Sequence, residues 1–530
     1  MKMNLYLLWA PSLVCTIMAC AGAPGTAKDG VFVPTGNLRK VTLPEPTSKK
    51  LPAWHGFNKL NLFLIGSGES YDDGGMDIRE SDFALIRQMG FNFVRFPIDY
   101  RYIYNPADKS FNMDKIAWID HAINYGIKYN VHVNLNIHSA PGYSVVGFDD
   151  GFKLVTTGRE HFIEIWKFLA KRYKNIPNSV LSFNLLNEPD ANMVFDQTGL
   201  VYAPEFASLM SETITAIREY RPDRLIVMDS VQRNAQNLSQ LGIPTDNIIL
   251  SNRGYAPWSV TNDGMMGQSQ SPANFTDPQI TWPIKNYFNG FIYAPWHSTH
   301  LFGVQNTRAV FNNPEGFAAG TASMLMAAQY LEKDELALIC DGVETARCVS
   351  VKSPDGKPWT AAFPKNSIPA GTKKVEIIDA VGDTVNVDVY TISGVTVKCT
   401  NIDWGYAPSE MTVGVDTESD AQDLRNWIMP SPAWDGLPVM IGEMGCMAPT
   451  PEKAVFRARL MGDYVDAFHD MPWAFWEFKG GAMSMFNLNQ TDVCTAPVDV
   501  KYGDGQTQRY YYDKLWYDAI KHALDKPWNN

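Results

Sequence analysis

From residue 54 onward the hydrophobic pattern keeps switching between a strand period of two and a helical period of 3.6, which leaves few folds open to the chain. Strand-like stretches begin at Trp54, Phe91, Val131, Val180, Leu225, Ile248, Leu437 and Trp473. Helical stretches lie between them at Arg79–Met89, Ile116–Tyr125, His161–Tyr173, Ala203–Tyr220, Ala421–Ile428 and Lys453–Phe468, and Tyr511–Leu524 follows the last. His161–Tyr173 carries Phe162, Ile165, Trp166 and Leu169 on one face. Strands joined through helices pair in parallel. Eight such units predict an α/β fold, a (β/α)8 TIM barrel. An open doubly wound sheet usually has fewer strands, and no GxGxxG follows the first strand here. Pro97 is expected to break the second strand.

The alternation lapses for about 150 residues between strands six and seven. Val385, Val387 and Val389, then Val395, Val397 and Cys399, recur at period two, with Gly382-Asp383 and Ser393-Gly394 placed for hairpin turns. This predicts an inserted β-sandwich-like domain over 297–410, splitting the barrel into 53–296 and 411–530. The alanine-rich stretch Phe317–Leu331 is read as a helix beside it.

The N-terminus reads as an address. Leu5–Ala19 is apolar but too short and wrongly flanked to span a membrane, so residues 1–20 are expected to be a signal peptide. Ile17-Met18-Ala19-Cys20 resembles a bacterial lipoprotein cleavage box, which would make Cys20 the lipid attachment site; ordinary cleavage nearby is the alternative, and both imply export. Residues 21–52, rich in Gly, Pro, Thr, Ser and Lys, read as a flexible linker. Export permits disulfides. Cys340, Cys348, Cys399, Cys446 and Cys494 are odd in number, so at least one is unpaired; a Cys446–Cys494 bridge and one pair inside the insert are the candidate linkages. No CxxC is present, and neither a metal nor an organic cofactor is expected.

With 57 acidic and 45 basic residues, net charge −12, the chain is a poor binder of phosphate backbones, so no nucleic-acid partner is expected. A neutral ligand fits better. Fifteen Trp, 23 Tyr and 27 Phe provide flat apolar faces of the kind a sugar cleft uses, though most such rings serve a core.

Asn187-Glu188-Pro189 follows a buried strand that Pro189 terminates, which puts Glu188 at a C-terminal strand end, the functional rim of a barrel. Glu443, between Gly442 and Gly445 after strand seven, has the same placement. Two carboxylates on opposite walls of an aromatic pocket suit glycosidic cleavage: one delivers a proton to the leaving oxygen and the other attacks the anomeric carbon.

These residues, with Val94-Arg95-Phe96-Pro97, Asn136-Ile137-His138, Arg253-Gly254-Tyr255 and Trp473–Phe478, bring the chain to a family. Over about 50–285 and 415–530 it resembles glycoside hydrolase family 5, the cellulase-like branch of retaining β-glycosidases. The resemblance implies Glu188 as acid/base and Glu443 as nucleophile, with Arg95 and Tyr255 on Glu443, Asn187 on a sugar hydroxyl, His138 at the substrate or the acid, and Trp476 beneath the sugar. Two departures stand out. Ser139 occupies the place of a second histidine, and the run His138–Gly142 looks closer to the exo-acting 1,3-glucanase branch. Arg253 replaces the usual histidine two residues before Tyr255; it is expected to act on Glu443, to bind an acidic substrate group, or to turn away and pair with a loop.

The expected activity is retaining hydrolysis of a β-linked polysaccharide by a monomer, β-glucan first, with mannanase or exo-1,3-glucanase activity behind. A non-hydrolytic glycan-binding surface lipoprotein and a transglycosylase are the rivals. Trp258, Trp282, Trp296 and Trp404 are further candidate sugar platforms or packing residues. His297 and His300 read as surface or rim residues, and Asp72-Asp73-Gly74-Gly75 as a turn rather than a calcium loop.

Overall fold

The computed structural model describes residues 30–47, 50–63, 65, 78–144, 154–189, 204–229, 242–255, 261, 282–283, 288–291, 300–302, 308–329, 332–354, 359–381, 385–403, 409–412, 420–429, 436–448 and 450–525. Cys20, Asp72–Gly75, Trp258, Trp296, His297 and Trp404 lie outside them.

Eight parallel strands close on themselves. They are β1 (His55–Asn58), β2 (Phe93–Asp99), β3 (His132–Ala140), β4 (Leu181–Asn184), β5 (Ile226–Asp229), β6 (Ile248–Gly254), β7 (Val439–Met444) and β8 (Trp473–Phe475). Each pairs with the next, and β8 pairs with β1, making a (β/α)8 barrel. Every strand start predicted from the period lies within two residues of an observed one. Helix ends follow local chemistry. Asn112 caps Met113–Tyr129 through its side chain, and left-handed Asn130 ends it. Thr450 caps Pro451–Ala467, which begins on a proline.

Pro97 does not break β2. It pairs with Asn136 of β3 on one side, while the ladder to β1 has already ended at Arg95, so the missing N–H breaks no ladder there. The linker reading also needs correction: Val31, Phe32 and Leu51 are buried, Phe32 N–H donates to the Arg172 carbonyl, and Glu45 accepts from the N–H groups of Asn178 and Ser179 ahead of β4. At the other end, part of the predicted Tyr511–Leu524 helix belongs to a hairpin, Ala496–Tyr502 with Gln506–Tyr512, and the helix begins at Lys514.

The barrel interior changes polarity along its axis. Leu51, Trp54, Phe93, Leu225, Val227, Ile249, Met440 and Ala474 plug the end where the strands begin. Two residues further along several of the same strands, the inward positions carry Arg95, Asp229 and Ser251, with Arg253 beyond them. Val94, Phe96, Val133, Leu135 and Ile137 alternate outward and pack under the helices.

Between β6 and β7 the chain builds two further sheets. One contains Phe288–Phe291, Val395–Asp403, Val385–Ile392, Ala322–Gln329, Trp359–Ala362 and His300–Phe302. The other contains Val343–Val351, Lys333–Cys340, Lys374–Asp379, Arg308–Asn312 and Ser409–Thr412. They share a core of their own that includes Phe311, Met324, Leu338, Ile377 and Tyr390. Ser393 and Gly394, both at positive φ, make the hairpin turn read from the sequence. The predicted Phe317–Leu331 helix is instead the strand Ala322–Gln329: Ala322, Met324 and Met326 are buried at period two, and a helix propensity for alanine yields to that pattern. His300 begins the strand His300–Phe302.

Neither disulfide candidate forms among the described residues: Cys340, Cys348, Cys446 and Cys494 are buried thiols outside any disulfide. Trp282 is no sugar platform; it is buried, and its indole N–H donates to Asp463 at 2.6 Å. Among the described residues no helix is long and apolar enough to cross a membrane.

A buried ionic cluster joins both sides of the β8–β1 closure. Asp82 accepts from Lys59 after β1, from Lys479 after β8 at 3.0 Å, and from Tyr510 of the hairpin at 2.7 Å. Burial alone would raise the Asp82 carboxyl, but Lys479 and Lys59 hold it well below the usual range. Asp82→Asn would leave two buried ammonium groups facing each other. The expected loss is about 3–5 kcal/mol of stability, measured by denaturant unfolding.

Candidate active site

Glu188 and Glu443 both lie at the C-terminal end of the barrel, and local backbone devices put them there. Inward positions of β7 alternate through Met440 and Gly442, so an unbroken strand would turn the next residue outward. The register against β6 slips between Ile441 and Glu443, opposite Asn252 and Arg253, and this bulge re-aims Glu443 inward. Gly442 makes room for it: a Cβ there would stand 2.2 Å from Ser251 Oγ and 2.8 Å from Arg253 Nη1. Glu188 has φ +40°, a left-handed conformation that costs a non-glycine residue on the order of 1 kcal/mol. Both of its backbone groups are held: the N–H donates to Asp229 Oδ2 at 2.9 Å, and the carbonyl accepts from the Tyr143 hydroxyl.

Two guanidinium groups organise the carboxylates. Arg95 on β2 donates through Nη1 to Glu443 Oε1 at 2.5 Å and to Asn58 Oδ1 at 2.9 Å, through Nε to Asn184 Oδ1 at 2.8 Å, and through Nη2 to Asn187 Oδ1 at 2.7 Å. Arg253 on β6 donates through Nε to Glu188 Oε1 at 2.9 Å and through Nη1 to Ser251 Oγ at 2.9 Å. Its Nη2 donates to Asn187 Oδ1 at 2.8 Å and to Asp229, and stands 3.3 Å from Glu443 Oε1. One planar group thus touches both glutamates. Tyr255 donates to Glu443 Oε2 at 3.2 Å. The charged residues are nearly sealed, with Arg95 1%, Arg253 4%, Glu443 4%, Asp229 5% and Glu188 9% exposed.

These contacts decide among the three expectations for Arg253. It faces inward, between the carboxylates, and all three guanidinium nitrogens already have protein partners, so it is not placed to bind an acidic substrate group. Burial alone would lower the Arg253 guanidinium; Asp229, Glu443 and Glu188 outweigh burial and raise it. For Arg95 burial wins and the direction is down. Burial likewise raises the Tyr255 hydroxyl, with Glu443 adding to it, so Tyr255 is a neutral donor.

Asn187 offers its amide in one orientation. Its Oδ1 accepts from both arginines, and its buried Nδ2 has no partner among the described residues, which leaves a donor for a ligand. His138 is held neutral, chiefly by burial and then by Arg95, and its Nδ1 likewise has no partner among the described residues. The His138 ring lies 5.7 Å from Trp476 and 4.8 Å from Phe63, and Trp476 is the half-exposed member of this aromatic wall. Among the described residues no group of His, Cys, Asp or Glu is arranged to hold a metal ion.

Arg95, His138, Asn187, Glu188, Arg253, Tyr255, Glu443 and Trp476 come together at the barrel rim, whereas Trp282 does not join them. Asp229 was not anticipated. It ends β5 as Glu188 follows β4 and Glu443 lies in β7, so the strand-end rule that found the glutamates would have found it. Asn58 and Asn184 also belong to the frame, with Asn184 Nδ2 donating to Asp229 at 2.9 Å.

Residues 54–292 match the family model described as cellulase (glycosyl hydrolase family 5). An endoglucanase C from Acetivibrio thermocellus is 30% identical over 212 residues, 38% of this chain and 57% of that relative, so the chain spans little more than half of it. A glucan 1,3-beta-glucosidase from Blumeria graminis is 33% identical over 118 residues, 21% of this chain and 28% of its own. A Thermotoga maritima Cel5A structure with mannotriose aligns over 88% of this chain and 97% of its own, at 16% identity and a TM-score of 0.46.

Gly442→Ala is expected to push Ser251 and Arg253 aside. A stability loss of about 1–3 kcal/mol should appear in denaturant unfolding, the usual range for an overpacked site.

Proposed function

We propose that this chain, a cellulase-like protein of glycosyl hydrolase family 5, hydrolyses a β-linked glucan with net retention through a covalent glycosyl-enzyme. The observation that carries the reading is that Glu188 and Glu443 share the Arg253 guanidinium at the barrel rim, while Arg95 and Tyr255 also hold Glu443. Two carboxylates held on one guanidinium, one of them surrounded by further donors, suit a double displacement with Glu443 as nucleophile and Glu188 as acid/base.

Glu443, held by Arg95 and Tyr255, attacks the anomeric carbon. The glycosidic C–O bond breaks as Glu188 passes its proton to the leaving oxygen, and Glu443 is left esterified to the sugar. Glu188, now ionised, takes a proton from water; the water oxygen attacks the anomeric carbon and releases Glu443. Asn187 Nδ2 donates to a sugar hydroxyl, a contact that strengthens as the ring gains charge. Trp476 and Phe63 give the sugar an apolar wall, and neutral His138 offers it a hydrogen bond. The names of the relatives, an endoglucanase and a glucan 1,3-beta-glucosidase, favour β-glucan as the substrate class.

A panel of β-glucans, mannan and xyloglucan, read by reducing-end release and product size, tests the reading. Wild type should release sugar from a β-glucan with the β-anomer formed first, as NMR would detect. Glu443→Gln should abolish release. Glu188→Gln should slow it by about 10²–10⁴-fold on glucan, and far less on an aryl glycoside whose leaving group needs no proton. Equal traces from wild type and Glu443→Gln would favour a glycan-binding protein, and an initial α-anomer would overturn retention.

A further inference from the structure

Asp229 and Arg253 stand together where neither the expected proton donor nor the expected nucleophile needs them for attack. The cluster contains three carboxylates, Glu188, Glu443 and Asp229, against two guanidinium groups, Arg95 and Arg253. Among the described residues, the other titratable groups facing it are His138 from β3 and Tyr255 after β6, both neutral, and Tyr143, whose hydroxyl is bonded to the Glu188 carbonyl. With all three carboxylates ionised, they exceed the two guanidinium groups by one negative charge. Binding a single proton balances these five groups, and an unbalanced charge in a dry interior is costly.

Each carboxylate meets that demand differently. Glu443 receives Arg95 and Tyr255 and lies 3.3 Å from Arg253. Asp229 receives Arg253, Asn184 Nδ2 and the Glu188 N–H, and lies 3.6 Å from Arg95. Glu188 is the most exposed of the three and receives Arg253 Nε on Oε1. Arg253 acting alone would therefore favour an ionised Glu188, which could not deliver a proton. Asp229 occupies Nη2 of the same guanidinium and restores the missing negative charge.

We propose that Asp229 and Arg253 form a charge-matched positioning pair that sets how high in pH Glu188 keeps its proton: Arg253 bridges the two glutamates, and Asp229 offsets its charge so that Glu188 still serves as the acid. This rests on the hydrolase reading above, with Glu188 as acid and Glu443 as nucleophile. Both are positioning residues: Asp229 works through Arg253 and the Glu188 N–H, and Arg253 works through the carboxylates of Glu188 and Glu443.

The sign follows from charge. Removing the negative Asp229 leaves Arg253 unopposed beside Glu188 and favours its ionised form, so the alkaline limb of kcat/KM moves to lower pH. Removing the positive Arg253 leaves Asp229 unopposed, and the limb moves to higher pH. A neighbouring charge at such distances moves a limb by about 1 pH unit or more.

The experiment is the pH profile of kcat/KM on β-glucan for wild type, Asp229→Asn, Arg253→Met, the double variant and Arg253→Lys, repeated with dinitrophenyl β-cellobioside, whose leaving group needs no proton. The single variants should move the alkaline limb in opposite directions on glucan, and the double variant should return it toward wild type. Arg253→Lys should keep it nearly in place. On the aryl glycoside no variant should show the alkaline limb. A uniform loss of rate in every variant, on both substrates and with the limb unmoved, would make the pair merely structural and overturn the proposal. Where Asp229→Asn does not fold, Arg253→Met against Arg253→Lys makes the same test. A wild type inactive on both substrates would overturn the hydrolase reading; an active wild type whose limb ignores both charges would overturn this proposal alone.

Discussion

The chemistry of the cleft depends on two buried arginines whose charge is answered on every side. Guanidinium stays charged in any protein, so Arg95 and Arg253 can be buried only where carboxylates and amide oxygens replace water. Asn58, Asn184 and Asn187 supply amide oxygens, and Glu443, Glu188 and Asp229 supply charge. The frame is stiff because the guanidinium is planar and its donors diverge in fixed directions. It therefore sets the position of each glutamate relative to the other. The barrel makes the arrangement affordable by separating roles along its axis, with an apolar plug at one end and the polar frame at the other.

Much of this was legible in the sequence, and the failures share a physical origin. Hydrophobic period located all eight strands because buried strands must alternate between a helix-facing side and an interior side, as Val94 and Arg95 do. Strand-end position located Glu188 and Glu443. Asp229 stands outside the pair of carboxylates that glycosidic cleavage requires, and the need for it comes from the arginine at 253. The direction in which Arg253 points could not be read from its position, since that is decided by Ser251, Asp229 and the glutamates around it. The strand Ala322–Gln329 was mistaken because alanine favours helices locally, while burial of Ala322, Met324 and Met326 against the second sheet of the insert decides the outcome. Cysteine count allowed disulfides that packing does not make.

Backbone detail is the least legible layer, and here it carries the most chemistry. The bulge that turns Glu443 inward leaves only a modest trace in the sequence, the glycine at 442, and the same glycine would serve an ordinary turn. At 188 the positive φ is maintained by groups distant in sequence: Asp229 holds the N–H, and Tyr143, 45 residues away, holds the carbonyl. Asp229 thus links the strained backbone of Glu188 to the charge of Arg253, so conformation and protonation at that glutamate are coupled through a single carboxylate.

The inserted domain fits this scheme because of where it leaves the barrel. It interrupts the chain between β6 and β7, yet these strands remain neighbours, and Tyr255 reaches Glu443 across 188 residues of sequence. Such an excursion is tolerated only if the insert folds around its own core, which its two sheets provide, and if its two ends return to adjacent strands. The strand-end side of a barrel is the face on which long connections can vary without disturbing closure. The barrel must bring Arg253 and Glu443 into register from opposite sides of that excursion, and Gly254 pairs with Met444 to do so. A shift of one residue in this pairing would turn Glu443 away from both arginines, so β6–β7 register is a condition for the charged frame as well as for the sheet.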